Sequence, residues 1–262
     1  MHILDEIIAN KKREIAELKP YHSIDSFRTD GMFWEEPGRS LKQTLLLGDT
    51  SGVIAEFKRK SPSKGWLKPR ELEVDEVVLT YNDYGAAGIS VLTDESFFGG
   101  ELDDLIQARE ITDVPLLRKD FIIDEWQIAE AKANGADVIL LIAACLTPAE
   151  VRNLGGFARS LGLEVLLELH DETELDHICE EVDLVGVNNR NLKTFEVDIN
   201  TSLKLIRKIQ DDIPVIAESG ISDPATITQL REAGFDGFLI GETFMKSANP
   251  GKAFREFVAA IK

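Results

Sequence analysis

Cysteine is nearly absent: Cys145 and Cys179 are the only two in 262 residues. A disulfide framework and a cysteine-rich metal site both need more, so structural zinc is not expected and a reducing compartment is. Histidine is almost as scarce, and His2, His22 and His177 show no metal-ligand spacing. No apolar run has the length of a bilayer span, and no basic-then-apolar leader stands at Met1-His2-Ile3-Leu4-Asp5-Glu6. A membrane is therefore not an expected partner, and the cytoplasm is the expected location. Basic residues are also in deficit, 29 against 47 acidic ones, which leaves a net charge of −18. Nucleic acid or an anionic membrane would need a basic face. The same charge repels an anionic metabolite only at long range, because screening over roughly 8 Å at physiological salt leaves local donors in control of a pocket. Any anion site must then be visible as a local motif. Neither metal nor cofactor is expected.

From Val53 onward, short apolar strands alternate with helical stretches, as a parallel sheet with helical crossovers requires. Eight strands are expected, near 53–58, 89–93, 115–119, 137–143, 164–169, 184–189, 214–218 and 237–241. Helix-start signals follow them, including Thr147-Pro148-Ala149-Glu150, Asp223-Pro224 and Asn249-Pro250-Gly251. Eight repeats of strand then helix imply an α/β fold, a closed (β/α)8 TIM barrel. A doubly wound sheet would carry a glycine-rich turn after its first strand, and Lys58-Arg59-Lys60-Ser61-Pro62-Ser63 stands there instead. Residues 1–48 read as an N-terminal extension with an amphipathic helix, whose Ile7, Ile8, Ile15 and Leu18 share a face. It is expected to pack on the barrel, with its mouth one place for it. No linker separates it from residues 49–262, so one domain spanning 1–262 is expected.

Two apolar runs end in charge: Ile54-Ala55-Glu56-Phe57-Lys58 and Leu116-Leu117-Arg118-Lys119-Asp120. Side chains alternate along a strand, so residues two apart share a face. Glu56 and Lys58 share one, as do Leu117 and Lys119, Leu166 and Glu168, Asn188 and Arg190, and Ile216 and Glu218. Each polar member lies at the carboxyl end of its strand, where barrels of this kind keep their active sites. Any single one reads equally well as a rim salt bridge. Together they are too expensive to bury without mutual pairing or a ligand, which points to a functional cluster. Beyond the last two strands, Glu218-Ser219-Gly220-Ile221 and Ile240-Gly241-Glu242-Thr243 offer glycines and backbone N–H groups suited to a phosphate. An anionic sugar phosphate is the expected small-molecule ligand.

Five ordered motifs, at 54–65, 117–124, 135–142, 186–192 and 217–221, together with the leader Lys11-Lys12-Arg13-Glu14, resemble the indole-3-glycerol-phosphate synthase family. The resemblance implies ring closure, decarboxylation and dehydration of 1-(2-carboxyphenylamino)-1-deoxyribulose 5-phosphate to indole-3-glycerol phosphate, a carboxy-lyase step of tryptophan biosynthesis. By matching position Lys119 is implied as general acid. Lys58 would hold the anthranilate carboxylate and assist one proton transfer, and Glu168 would take or relay a proton. The division of acid roles between the two lysines stays open. Glu56 and Asn188 look like orienting residues, Glu218 a further polar wall, and Arg190 a holder of substrate oxygens. Ser219, Gly220 and Gly241 correspond to the phosphate cradle, with Ser61 near the mouth. Glu242 departs from what a phosphate wants, which leaves that half to backbone N–H groups. Phe98, Phe121 and Leu140 are expected to wall the substrate's aromatic ring. A monomer is expected, and association with other tryptophan-pathway enzymes is left open.

The remaining candidates read more simply. Cys145, taken to lie on a buried strand, and Cys179, in a helical stretch over 175–180, read as buried structural thiols. His170 beside Asp171 reads as a hydrogen bond at a helix start. Lys60, Lys64 and Lys68 crowd one loop, either solvated or gathering an anion. Three other functions compete: a phosphoribosylanthranilate isomerase, which in that family works with a cysteine and an aspartate; a Schiff-base aldolase, using a barrel lysine as nucleophile; and a silent binding scaffold.

Overall fold

Eight parallel strands close on themselves, the first pairing with the last. The computed structural model describes residues 3–191, 196–209 and 212–261. His2, and Leu192 at the end of the 186–192 motif, lie outside the described residues. The barrel strands are β1 (Val53–Phe57), β2 (Gly88–Leu92), β3 (Leu116–Lys119), β4 (Val138–Ile142), β5 (Glu164–Leu169), β6 (Leu184–Asn188), β7 (Val215–Glu218) and β8 (Gly237–Ile240). Ile54 of β1 stands opposite Gly88 on one side and Leu239 on the other, which seals the cylinder. Every expected strand is present, with its ends displaced by a residue at most.

Both faces of such a sheet are covered, so its strands are apolar almost throughout. Outward residues such as Val53, Ala55, Ile139, Leu141, Val165 and Leu167 meet the helices. Inward ones, Ile54, Leu117, Leu140, Leu166, Leu184, Ile216 and Leu239, form a separate interior cluster. That division is the parity read from the sequence. Two residues beyond Ile54, Leu117, Leu166 and Ile216 on the same inward face come Glu56, Lys119, Glu168 and Glu218.

The helix starts also follow local chemistry. Thr147 and Glu150 form a reciprocal capping box, the Asp223 carboxylate accepts from the Ala225 N–H, and Asn249 caps the helix opening at Pro250. The fifth crossover is shorter than expected. Only a 3-10 turn, Glu172–His177, follows β5. Within it only Leu175 packs on the core, and the next core contacts, Ile178, Cys179 and Val182, lie past its end. Cys179 consequently lies beyond this turn, outside any helix, and Cys145 lies in a turn after β4, not on the strand; both are half-buried free thiols.

The extension embraces the barrel at both ends. Helices α1 (Ile3–Leu18), α2 (Ile24–Asp30) and α3 (Leu41–Leu47) precede β1. Leu41 and Leu45 of α3 join the interior cluster and plug the floor, a burial of about 2 kcal/mol each. At the opposite end, Ile3 and Leu4 of α1 line the mouth. The expected face of α1 needs correction: its buried stripe is Ile7, Lys11 and Ile15, Ile8 is only half-buried, and Leu18 is 46% exposed. The stripe runs through a lysine because Lys11 Nζ meets Asp94 at 3.3 Å and Asp120 at 3.0 Å, beyond the ends of β2 and β3.

At the amino end of the sheet, Asp137 ties the extension to the strands. Its carboxylate accepts from the Arg39 N–H at 2.8 Å and the Leu116 N–H at 2.9 Å, and pairs with Arg109 at 2.8 Å. Removing one partner strands a buried guanidinium. Asp137→Ala should therefore lose about 3–5 kcal/mol of folding stability, read as a lower guanidinium midpoint at unchanged slope.

Candidate active site

A cavity of about 420 Å³ opens at the carboxyl ends of the strands, within the range of small-molecule sites. Glu56, Lys58, Ser61, Phe98, Lys119, Phe121, Leu140, Glu168, Asn188, Arg190, Glu218, Ser219, Gly220 and Gly241 all line it. Strand parity and the loops after the strands thus bring these site candidates together at one cavity.

Its centre is a chain of charges, three buried glutamates and two half-buried lysines. Lys119 Nζ donates to Glu218 Oε2 at 2.5 Å and lies 3.4 Å from Glu168 Oε2. Lys58 Nζ reaches Glu56 Oε1 at 2.5 Å. Asn188 Nδ2 donates to Glu168 Oε1 at 3.0 Å, and its own carbonyl accepts from the Arg190 N–H at 3.0 Å. Burial opposes charge on Lys119, but Glu218, Glu168 and Glu56 outweigh it and raise its proton affinity above that of an ordinary lysine. The two glutamates divide. Burial would raise Glu168, yet Lys119, the His170 ring and Asn188 overcome it and hold it below the ordinary carboxylate range. Burial raises Glu218 too, Lys119 draws it back only in part, Glu168 adds to the rise, and it is pushed up to about 7.

Glycine makes room for these carboxylates. A Cβ on Gly241 would stand 2.3 Å from Glu56 Oε1, and one on Gly186 of β6 would stand 2.1 Å from Glu218 Oε1. Gly241 lines the cavity, and its tightest neighbour there is the Glu56 carboxylate. Nearby, Ser219 has φ 66°, alone among the described non-glycine residues in the left-handed region, and Gly220 follows at φ 76°. Such strain persists only where surroundings enforce it, and it turns the 219–220 backbone into the cavity. Thr243 Oγ1 donates to the Ile221 carbonyl at 2.8 Å and joins the loops after β7 and β8. Glu242 faces Arg190 at 3.3 Å, so its charge is compensated beside the cradle.

The apolar wall is Phe98 and Phe121, with ring centres 6.0 Å apart, together with Leu140. The loop after β1 folds into a small hairpin, Lys60–Ser61 with Gly65–Trp66. Lys60 donates to the Ser96 carbonyl at 2.9 Å and Lys68 to that of Ser247, while Lys64 lines the cavity. The crowded lysines are thus partly loop ties and partly mouth.

Three residues escaped the sequence reading. The His170 backbone N–H does serve the turn start, donating to Glu174 at 2.6 Å, but its ring Nε2 stands 3.1 Å from Glu168 Oε1. Strand parity held the signal, since His170 is two residues past Glu168. Asn189 is buried and donates to the Glu218 and Ser219 carbonyls at 3.0 and 3.1 Å, holding the strained loop from behind. Asp120, next to Lys119, is buried between Lys11 and Arg118; burial would raise it, and those two cations instead take it down to about 2.

The family model for indole-3-glycerol phosphate synthase matches residues 4–257. The chain belongs to the indole-3-glycerol phosphate synthase family. An indole-3-glycerol phosphate synthase of Bacteroides thetaiotaomicron is 50% identical over 260 residues, covering 99% of each chain, and one of a Polaromonas species is 44% identical over 97% of each. Among solved structures, a 3-hexulose-6-phosphate synthase aligns with TM-score 0.62 at 17% identity over 80% of this chain and 99% of its own. A chain of a tryptophan synthase complex from Pyrococcus furiosus aligns with TM-score 0.61 at 15% identity, over 81% and 98%. These two likenesses show the barrel alone.

Indole-3-glycerol phosphate synthase activity is therefore this chain's function, a carboxy-lyase step in tryptophan biosynthesis that acts on a phosphorylated substrate. No helix of the described residues is long and apolar enough to cross a membrane. The synthase's charge chain has a titration signature. With Glu218 pushed up to about 7, the free enzyme should gain a proton there as pH falls through neutrality. An inflection near pH 7 is expected in kcat/KM, and Glu218→Gln should abolish it.

Proposed function

We propose that Lys119 supplies the proton and positive charge for ring closure, with Glu168 as its partner base. The carrying observation is the position of Lys119 Nζ, 2.5 Å from Glu218 and 3.4 Å from Glu168 at the centre of the cavity. In ring closure an aromatic carbon attacks the sugar carbonyl, and negative charge develops on the carbonyl oxygen. An ammonium already oriented by two carboxylates stabilises that charge without solvent reorganisation and hands over a proton as the alkoxide forms. Loss of carbon dioxide returns the electron pair to the ring. The hydroxyl then leaves as water, which needs an acid at the oxygen and a base for the ring-side proton. Glu168, ionised and 3.4 Å from Lys119, suits that base, and the pair can pass the proton back.

Lys58 in this reading receives the anthranilate carboxylate and assists the departing hydroxyl, with Glu56 orienting it at 2.5 Å. Asn188 fixes Glu168, and Arg190 holds substrate oxygens beside the cradle of Ser219, Gly220 and Gly241, with Ser61 at the rim. Phe98, Phe121 and Leu140 bound the aromatic ring. A lysine nucleophile must be a free amine, which speaks against a Schiff base on Lys119, whose surroundings favour the ammonium. A thiol base is equally disfavoured: burial, with Glu168 and Glu174 nearby, pushes Cys145 up to about 12.

Lys119→Ala should lower turnover by roughly a thousandfold with an unchanged far-ultraviolet spectrum, in the range of acid–base catalysis with charge stabilisation. Glu168→Gln should lose turnover by roughly a hundredfold or more. Both are followed by the appearance of indole fluorescence. Wild-type turnover in either variant removes that residue from the chemistry.

A further inference from the structure

The mechanism needs Glu168 ionised in a buried position, and Lys119 is shared with Glu218. A second cation source lies on the far side of Glu168. The His170 ring is buried between two carboxylates, with Nε2 3.1 Å from Glu168 Oε1 and Nδ1 3.5 Å from Glu174 Oε2. Both buried ring nitrogens thus face a carboxylate oxygen, an arrangement that attracts a ring carrying charge.

We propose that His170 is a positioning residue for the reaction, a buried imidazolium that holds Glu168 Oε1 from behind and leaves Oε2 as the oxygen that exchanges protons with Lys119. The two oxygens of Glu168 have different company. Oε1 meets His170 Nε2 at 3.1 Å and the Asn188 amide at 3.0 Å, while Oε2 meets Lys119 at 3.4 Å. A carboxylate with one oxygen occupied by two fixed groups cannot turn, so its basic lone pairs stay aimed at the reacting centre.

The groups facing the ring come from three elements. Glu168 lies on its own strand β5, Glu174 in the turn that follows, and Cys145 after β4 sits in the field of the same two glutamates. Cys145 stays a neutral thiol, so both charged neighbours are negative. Burial works against the charged ring, but Glu168 and Glu174 outweigh it and raise His170 to about 10. Glu174 is therefore part of the device. Its carboxylate also accepts from the His170 backbone N–H at 2.6 Å and fixes the residue from both ends.

This proposal rests on the base role given to Glu168, and the experiment separates the two. Ring 15N shifts of the wild-type enzyme at pH 8 should show His170 with both nitrogens protonated, assigned by loss of the signal in His170→Gln or, should that variant not fold, by elimination with H2Q, H22Q and H177Q. A neutral ring overturns the proposal. In folded His170→Gln the inflection of kcat/KM near pH 7 should move up by roughly one unit, because a positive charge beside the coupled glutamates is gone, with kcat reduced and KM little changed. An inflection in the wild-type position, whether kcat is normal or uniformly lowered, also overturns it. Glu168→Gln measured alongside isolates the underlying reading: normal turnover there removes Glu168 as base, whereas an inactive Glu168→Gln with an unmoved His170→Gln profile overturns the His170 role alone.

Discussion

The structure turns on one ammonium held at the wall of a cavity between two buried carboxylates. Lys119 enters the barrel from β3 because its strand alternates, and once there it must be neutralised by groups on other strands. Glu168 and Glu218 come from β5 and β7 to do so. Two carboxylates around one lysine cannot both ionise freely, and their environments split them: the glutamate backed by His170 and Asn188 keeps its charge, and the one backed by Gly186 rises toward neutrality. In the proposed roles a base and a proton reservoir thus stand beside one acid, as a reaction with several proton transfers requires.

The two ends of the barrel are held by different means. Asp137 gathers backbone and Arg109 at the amino end, and α3 closes the floor with leucines. At the carboxyl end, α1 reaches the mouth through Lys11, whose partner Asp120 is the next residue after Lys119. The leader helix and β3 are consequently coupled by a buried ion pair. Loosening α1 would remove one of the two cations on Asp120 and leave Arg118 and Thr93 to hold it.

The strands, their inward faces and the cavity lining were legible because they depend on a period of two and on polar residues at strand ends, both of which the amino-acid order states outright. Less visible were features that depend on who faces whom. The buried face of α1 runs through Lys11 because Asp94 and Asp120 lie opposite, over a hundred residues from it in the second case. That Gly241 also leaves room for Glu56 depends on a facing strand and is not written in its own neighbourhood. His170 looked like part of a turn, since the sequence shows its neighbour Asp171 but not that its ring returns to Glu168. The crossover after β5 is a 3-10 turn in place of the expected helix, a difference that helical start signals alone conceal.

A chain of net charge −18 that takes an anionic substrate must meet it with local cations. The substrate brings two anions, a carboxylate and a phosphate, and only the first departs. In the roles proposed above, Lys58 loses the substrate carboxylate when carbon dioxide leaves but keeps Glu56, and at that moment the next step needs an acid at the departing hydroxyl. In the same proposed roles, phosphate contacts through the 219–220 backbone and Arg190 stay constant across these steps. The part of the site that must change is therefore built from ionisable side chains paired at hydrogen-bond distance, and the part that must not change is built from strained backbone held by Asn189. Dividing the two functions in this way lets binding energy remain spent on the phosphate while charge moves at the reacting carbons.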